Sequence, residues 1–100
     1  MKFDNRIARM RGMEIPLIPA PMGWIARSTL ASAVSRAGGL GIIETSSGET
    51  ANCQREITAM VASGLPFGVN LPIAYVQDPS IADMLVDEGI PFVTTSAGSP

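Results

Sequence analysis

The 100-residue sequence predicts an α/β fold built on parallel strands, and three observations carry that reading. Short apolar, β-rich runs alternate with longer helical patterns along the whole chain. Glycines stand where the helical patterns stop, Gly39 in GGLGII, Gly64 in SGLPFGV and Gly89 in EGIPFV, each 25 residues from the next (64 − 39 and 89 − 64). The runs LGII, FGVNL and IPFVTT are nearly continuous in apolar residues, as strands are when helices cover one face and a second core fills the other.

The elements follow in order. MKFDNRIARMRGME fits a short helix carrying Lys2, Arg6, Arg9 and Arg11; its Asp4 and its lack of Ser and Thr argue against a transit peptide. IPLIPA, residues 15–20, reads as the first strand and ends in PAPMGW, a stretch poor in backbone donors. STLASAVSRAGG is helical, with Ser28 or Thr29 available as its cap, and leads into the strand LGIIET. ANCQREITAMVASG follows, capped by Thr50 or Asn52, then the strand LPFGVNL. Asp78 and Pro79 open the helix SIADMLVDEG, which delivers the last strand, IPFVTT. Four strands joined by three full crossover helices result.

Two arrangements of such units exist, the open doubly wound sheet and the (βα)8 barrel. A dinucleotide-binding sheet carries its glycine loop between the first strand and the next helix. Here the glycines of AGGLG lie between a helix and the following strand, and PAPMGW offers no second glycine, so the barrel is favoured. A complete barrel needs roughly 200 to 250 residues, and FVTTSAGSP stops in a loop just past a strand. The expectation is therefore that residues 1–100 form the amino-terminal half, about four βα units, of a single TIM-barrel domain. Alone, such a half leaves strand edges and an apolar face open, which predicts self-association into homo-oligomers.

Composition narrows the partners. Apolar residues make up 46% of the chain and charged residues 16%, so the chain builds a core and is not disordered. A net charge of −2, from seven basic and nine acidic residues, gives no footprint for nucleic acid. A single cysteine and no histidine leave no disulfide and no ordinary metal site. No run is long and apolar enough for a membrane span, and the amino terminus lacks a signal-peptide core, so the chain reads as cytoplasmic.

Ligands of α/β folds bind beyond the carboxyl ends of the strands. Those ends are Ala20 to Gly23, Glu44 to Ser47, Asn70 to Pro72 and Thr94 to Gly98. They offer small residues, backbone groups, one amide and several hydroxyls, but no Lys, Arg, His or Cys. Such a set holds a ligand without supplying a nucleophile or base, so no catalytic residue is expected in this stretch. It suits a planar cofactor that brings its own chemistry, a flavin above all. Gly38, Gly39 and Gly41 read as a helix stop followed by close packing, and Cys53, with no His to pair with it, reads as structural.

PLIPAPMGWIARSTLASAVSRAGGLGII, LPFGVNLPI and TTSAGSP resemble the nitronate monooxygenase (2-nitropropane dioxygenase) family, in matching order over residues 14–100. The resemblance implies an FMN-binding TIM barrel in which the APM turn lies against the flavin ring and the asparagine of GVN bonds near its pyrimidine side. By motif position these are Ala20, Pro21, Met22 and Gly23, and Asn70. Ser96 and Gly98 match a loop on the substrate side. Where PMGG is frequent in the family, this chain has Trp24, which either fills core or narrows the pocket mouth; core filling is the favoured expectation. The implied activity is oxidative denitrification of alkyl nitronates with O2. Related flavoenzymes act instead on enoyl- or acyl-CoA thioesters with NADH or NADPH, and a non-catalytic truncated half-barrel is the reading of another class. The family's phosphate-binding loops and catalytic histidine fall later than these 100 residues.

Overall fold

The computed structural model describes residues 4–76 and 78–99; Lys2 of the basic amino-terminal set lies outside them. Seven elements succeed one another: α1 (Arg6–Arg11), α2 (Ser28–Arg36), β1 (Gly41–Ile43), α3 (Thr50–Ser63), β2 (Phe67–Pro72), α4 (Ser80–Asp87) and β3 (Val93–Ser96). The strands form one parallel sheet in the order β1-β2-β3, with Ile42 opposite Gly68 and Asn70 opposite Thr94. Right-handed crossovers through α3 and α4 are the expected way to join such neighbours.

The run IPLIPA does not become a strand, and the described residues hold three strands where four were expected. The reason is its donors. Pro16, Pro19 and Pro21 have no N–H, and the Leu17 N–H turns back to the Ile15 carbonyl at 2.7 Å. The segment still runs beside the start of β1, where the Leu40 N–H reaches the Leu17 carbonyl at 3.0 Å.

Helix ends follow the sequence in part. Asn5 caps α1 by accepting from the Ala8 N–H at 2.9 Å, and Asp78 accepts from the Ser80 N–H at 2.9 Å, opening α4 as predicted. Neither Ser28 nor Thr29 caps α2, whose first residue instead gives its N–H to Glu56 Oε2 of α3 at 2.9 Å. Thr50 and Asn52 lie inside α3, with Glu49 at the cap position. Gly64 and Gly89 stop α3 and α4 in the left-handed region, φ 72° and 66°. After α2 that task falls to Gly38, φ 104°, while Gly39 serves close approach: a Cβ there would stand 2.7 Å from the Leu17 carbonyl.

Ala31, Ile43, Ile57, Met60, Phe67, Val69 and Leu85 form the main core between the sheet and α2 to α4. A second cluster of Met13, Leu40 and Ile42, with Phe92 against it, fills the other face. This is the two-sided burial that the apolar strand runs predicted. It fades across the sheet: β1 is buried throughout, whereas β3 is largely exposed. No helix among the described residues is long and apolar enough to cross a membrane.

Candidate functional site

The carboxyl ends of the three strands gather two groups of residues. The first begins with the turn that follows the proline-rich segment. Met22 gives its N–H to the Ala20 carbonyl at 2.9 Å, and Ala26 gives its own to Met22 at 2.8 Å, so residues 20–26 close on themselves. Ala20 and Met22 are exposed, Pro21 and Gly23 half-buried. Gly23 is pressed against the loop after β1, since a Cβ there would lie 2.9 Å from Ser46 Oγ.

Trp24 does not fill core. It is 62% exposed, and its ring stands 5.5 Å from the Arg27 guanidinium carbon. Its φ of 69° lies in the left-handed region, where a glycine is at ease and a bulky side chain is strained. The frequent glycine of the resembling motif thus has a backbone reason, and the contact with Arg27 offsets part of the strain in this chain.

The loop after β1 is organised by a carboxylate that the sequence reading assigned no partner. Glu44 is fully buried. Its Oε2 accepts from the Ser46 N–H at 2.9 Å, the Ser47 N–H at 3.1 Å and Ser46 Oγ at 3.3 Å. Its Oε1 accepts from Arg27 Nε at 3.1 Å. Arg27 Nη2 reaches Glu49 at 2.7 Å and Ser47 Oγ at 3.3 Å. The Glu49 hydrogen bond is the main force raising the Arg27 pKa, working with Glu44 against burial. In return Arg27, with help from Asn52, holds the Glu49 carboxyl below its usual range.

The expectation that the strand ends carry no Arg or Cys is therefore corrected. Arg27, at the start of α2, is brought to the end of β1, and Cys53 Sγ lies 3.9 Å from Glu44. Burial pushes the Cys53 thiol up, against a smaller opposing contact with Ser47, consistent with an inert structural thiol. The signal in sequence was one arginine between Arg11 and Arg36 and two acids at a strand end; nothing in spacing alone joins them.

The second group centres on Asn70, which is 4% exposed. Its Oδ1 accepts from Thr94 Oγ1 at 2.7 Å, and its Nδ2 donates to Ser96 Oγ at 3.1 Å. The amide is thus fixed across the β2–β3 pair with both functions satisfied. The Ile73 N–H to Ser96 carbonyl bond (2.8 Å) and the Ala74 N–H to Ala97 carbonyl bond (3.1 Å) carry Ser96, Ala97 and Gly98 alongside the stretch after β2. Thr45 joins the groups by donating from Oγ1 to the Asn70 carbonyl at 2.7 Å.

All eight residues singled out by sequence therefore lie at the carboxyl ends of the strands or in the turn packed against them. Chemically the face combines exposed apolar surface at Ala20 and Met22, a close-approach glycine and neutral hydroxyl and amide groups. That donor set fits a flat, partly polar heteroaromatic ring, and its one buried carboxylate is already committed to Arg27.

Comparison with known proteins places this architecture. The chain is 41% identical over 83 residues to the nitronate monooxygenase of Pseudomonas aeruginosa, covering 81% of this chain and 22% of that protein. It is 30% identical over 91 residues to the Mycobacterium tuberculosis (3aS,4S,5R,7aS)-5-hydroxy-7a-methyl-1-oxo-octahydro-1H-indene-4-carboxyl-CoA dehydrogenase, covering 90% of this chain and 26% of that one. Among solved structures, FabK from Thermotoga maritima superposes with a TM-score of 0.89 at 31% identity, over 99% of this chain and 32% of FabK. The chain thus spans about a quarter of the curated relatives and a third of the solved one. With the nitronate monooxygenase family model matching residues 5–90, the chain belongs to that family of enzymes.

Proposed function

We propose that residues 1–100 are the amino-terminal portion of a TIM-barrel flavin oxidoreductase, and that Ala20, Pro21, Met22, Gly23 and Asn70 contribute to its FMN site. The observation that carries this reading is the joined face itself. The turn 20–23 packs on Ser46, and Thr45 ties that loop to Asn70 on the next strand. When bound, FMN supplies the electron transfer.

The residues have distinct tasks. The turn forms an apolar wall whose prolines stiffen it without adding donors that a ring face cannot satisfy. Met22 presents a polarizable thioether to the ring. Asn70 offers an amide edge, prealigned by Thr94 and Ser96, to the polar rim of the cofactor. Ser96, Gly98 and Trp24 border the side where substrate enters. No residue of this face serves as a base, so proton transfer falls to groups outside it.

For the substrate, an alkyl nitronate oxidised with O2 is the leading reading, supported by the family match and the Pseudomonas relative. A second reading is an enoyl- or acyl-CoA thioester as substrate, with NADH or NADPH as electron source where the thioester is reduced; its thioester, though not its electron donor, draws support from the mycobacterial dehydrogenase, which matches 90% of this chain. Anaerobic addition of a nitronate or of NADH to the flavin-loaded full-length protein separates them. Bleaching of the flavin by the nitronate alone supports the first, and bleaching by NADH alone supports the second. A protein that retains no flavin overturns both and leaves a non-catalytic chain.

A further inference from the structure

Resting on that flavin reading, we infer that Glu44 and Arg27 are positioning residues for the cofactor wall: the partly buried Arg27–Glu44 pair fixes the loop 44–49 against the turn 20–27 and thereby sets where Ala20 to Gly23 stand. Four observations converge on it. Glu44 is fully buried, yet it lies at the end of a strand and not in the middle of the core. Its two oxygens divide their work, Oε1 accepting from the Arg27 side chain and Oε2 from the Ser46 and Ser47 N–H groups. The main chain adds a parallel tie, the Glu44 N–H reaching the Ala26 carbonyl at 2.8 Å. Gly23 then abuts Ser46, whose Oγ would lie 2.9 Å from a Cβ built there, so the turn and the loop are in direct contact.

A carboxylate fully buried at this place, with its arginine half-buried, is poorly explained by stability alone, because apolar residues of like volume generally do as well. It is well explained by geometry. A carboxylate accepts from a planar guanidinium on one side and from two successive N–H groups on the other, and no other side chain of that size accepts on both. Glutamine at 44 would turn an NH2 group toward either Arg27 or the Ser46 and Ser47 N–H groups, and one side would lose its acceptor. Lysine at 27 would keep the charge but could not span Glu44, Ser47 and Glu49 together.

The test uses the full-length protein loaded with FMN and reads the flavin dissociation constant by fluorescence recovery, together with the visible flavin absorption and circular dichroism bands. Glu44→Gln is expected to weaken FMN binding about tenfold, with altered flavin bands, and Arg27→Lys at least threefold. The control is Ser35→Ala at the opposite end of β1, where Ser35 Oγ donates to the Pro66 carbonyl at 2.6 Å and accepts from the Gly41 N–H at 3.0 Å. It destabilises the same strand without touching the wall, and should leave FMN affinity within about twofold. Loss under threefold in both Glu44→Gln and Arg27→Lys, or loss matched by Ser35→Ala, overturns the positioning role while the flavin reading stands. Wild-type protein that retains no flavin overturns the flavin reading itself, and the role with it.

Discussion

The two groups at the carboxyl ends of the strands solve one problem by different physics. Around β1, the turn 20–27 and the loop 44–49 are held by charge, with one buried carboxylate, one guanidinium and a second, half-buried carboxylate. Around β2 and β3, Asn70 is held by neutral hydroxyls on the neighbouring strand. The first joins loops that have no ladder between them; the second decorates strands already aligned by one. A loop must be fixed by strong, directional, charge-assisted bonds, while an amide on a strand needs only two modest partners. The difference should appear in the cost of breaking each half and in its response to pH.

The largest effect is expected at Glu44. Glu44→Ala removes the acceptor of the half-buried Ser46 and Ser47 N–H groups and one partner of Arg27. Arg27 keeps Glu49 and some solvent, its side chain being 21% exposed, so the cost falls at the low end for breaking a buried pair, about 3 kcal/mol. Urea unfolding of the full-length protein measures it.

Asn70→Ala removes the partner of two hydroxyls, but Ser96 is exposed and Thr94 half-buried, so water replaces much of what is lost. A destabilisation of about 1 to 2 kcal/mol is expected, insensitive to salt because no charge is involved. If Asn70→Ala proves costlier than Glu44→Ala, the contrast between the halves is wrong.

Acid sharpens the same contrast. Arg27 holds the folded-state pKa of Glu49 below its unfolded value, so the unfolded chain binds the proton more readily. The Glu49 contribution is therefore complete above the ordinary glutamate value of about 4.3 and is lost as pH falls through the lower folded value. Asp78, held down by its bonds with Ser80, behaves in the same direction. Stability followed from pH 6 into the acid range should decline, and Glu49→Gln should flatten that decline. Asn70→Ala should leave its slope unchanged, since Thr94 and Ser96 do not titrate there. A slope untouched by Glu49→Gln would remove charge from the account of the first half.

Much of this arrangement was legible in sequence, and what was not has physical causes. The strands β1, β2 and β3 and the stops at Gly64 and Gly89 follow from apolar runs and glycine spacing, because burial and left-handed backbone are strong local constraints. IPLIPA misled because an apolar run says nothing of whether a segment has donors for a ladder, and Pro16 and Pro19 supply none. Asn70 stands in β2, in the run FGVNL that the sequence marks as a strand. Arg27 was missed because its partners lie 17 and 22 residues on, and which way a loop folds back is not written in composition. The sign of φ at Trp24 is equally silent in a single sequence.

Trp24 offers the smallest net change and the most direct view of the strain in the charged half. Two opposing effects meet there: a left-handed backbone that disfavours any Cβ, and a ring set over Arg27. Trp24→Ala removes the ring and keeps the Cβ, so it should lose the cation–π contribution, about 0.5 to 1 kcal/mol at an exposed site. Trp24→Gly removes both and should fall within about 0.5 kcal/mol of wild type, strain relief offsetting the lost contact and the greater freedom of the unfolded chain. The informative quantity is the difference between the variants, from which the ring cancels. Glycine should be the more stable by about 1 kcal/mol. If alanine equals glycine, the turn carries no backbone strain, and Trp24 stands where glycine is frequent at no conformational cost.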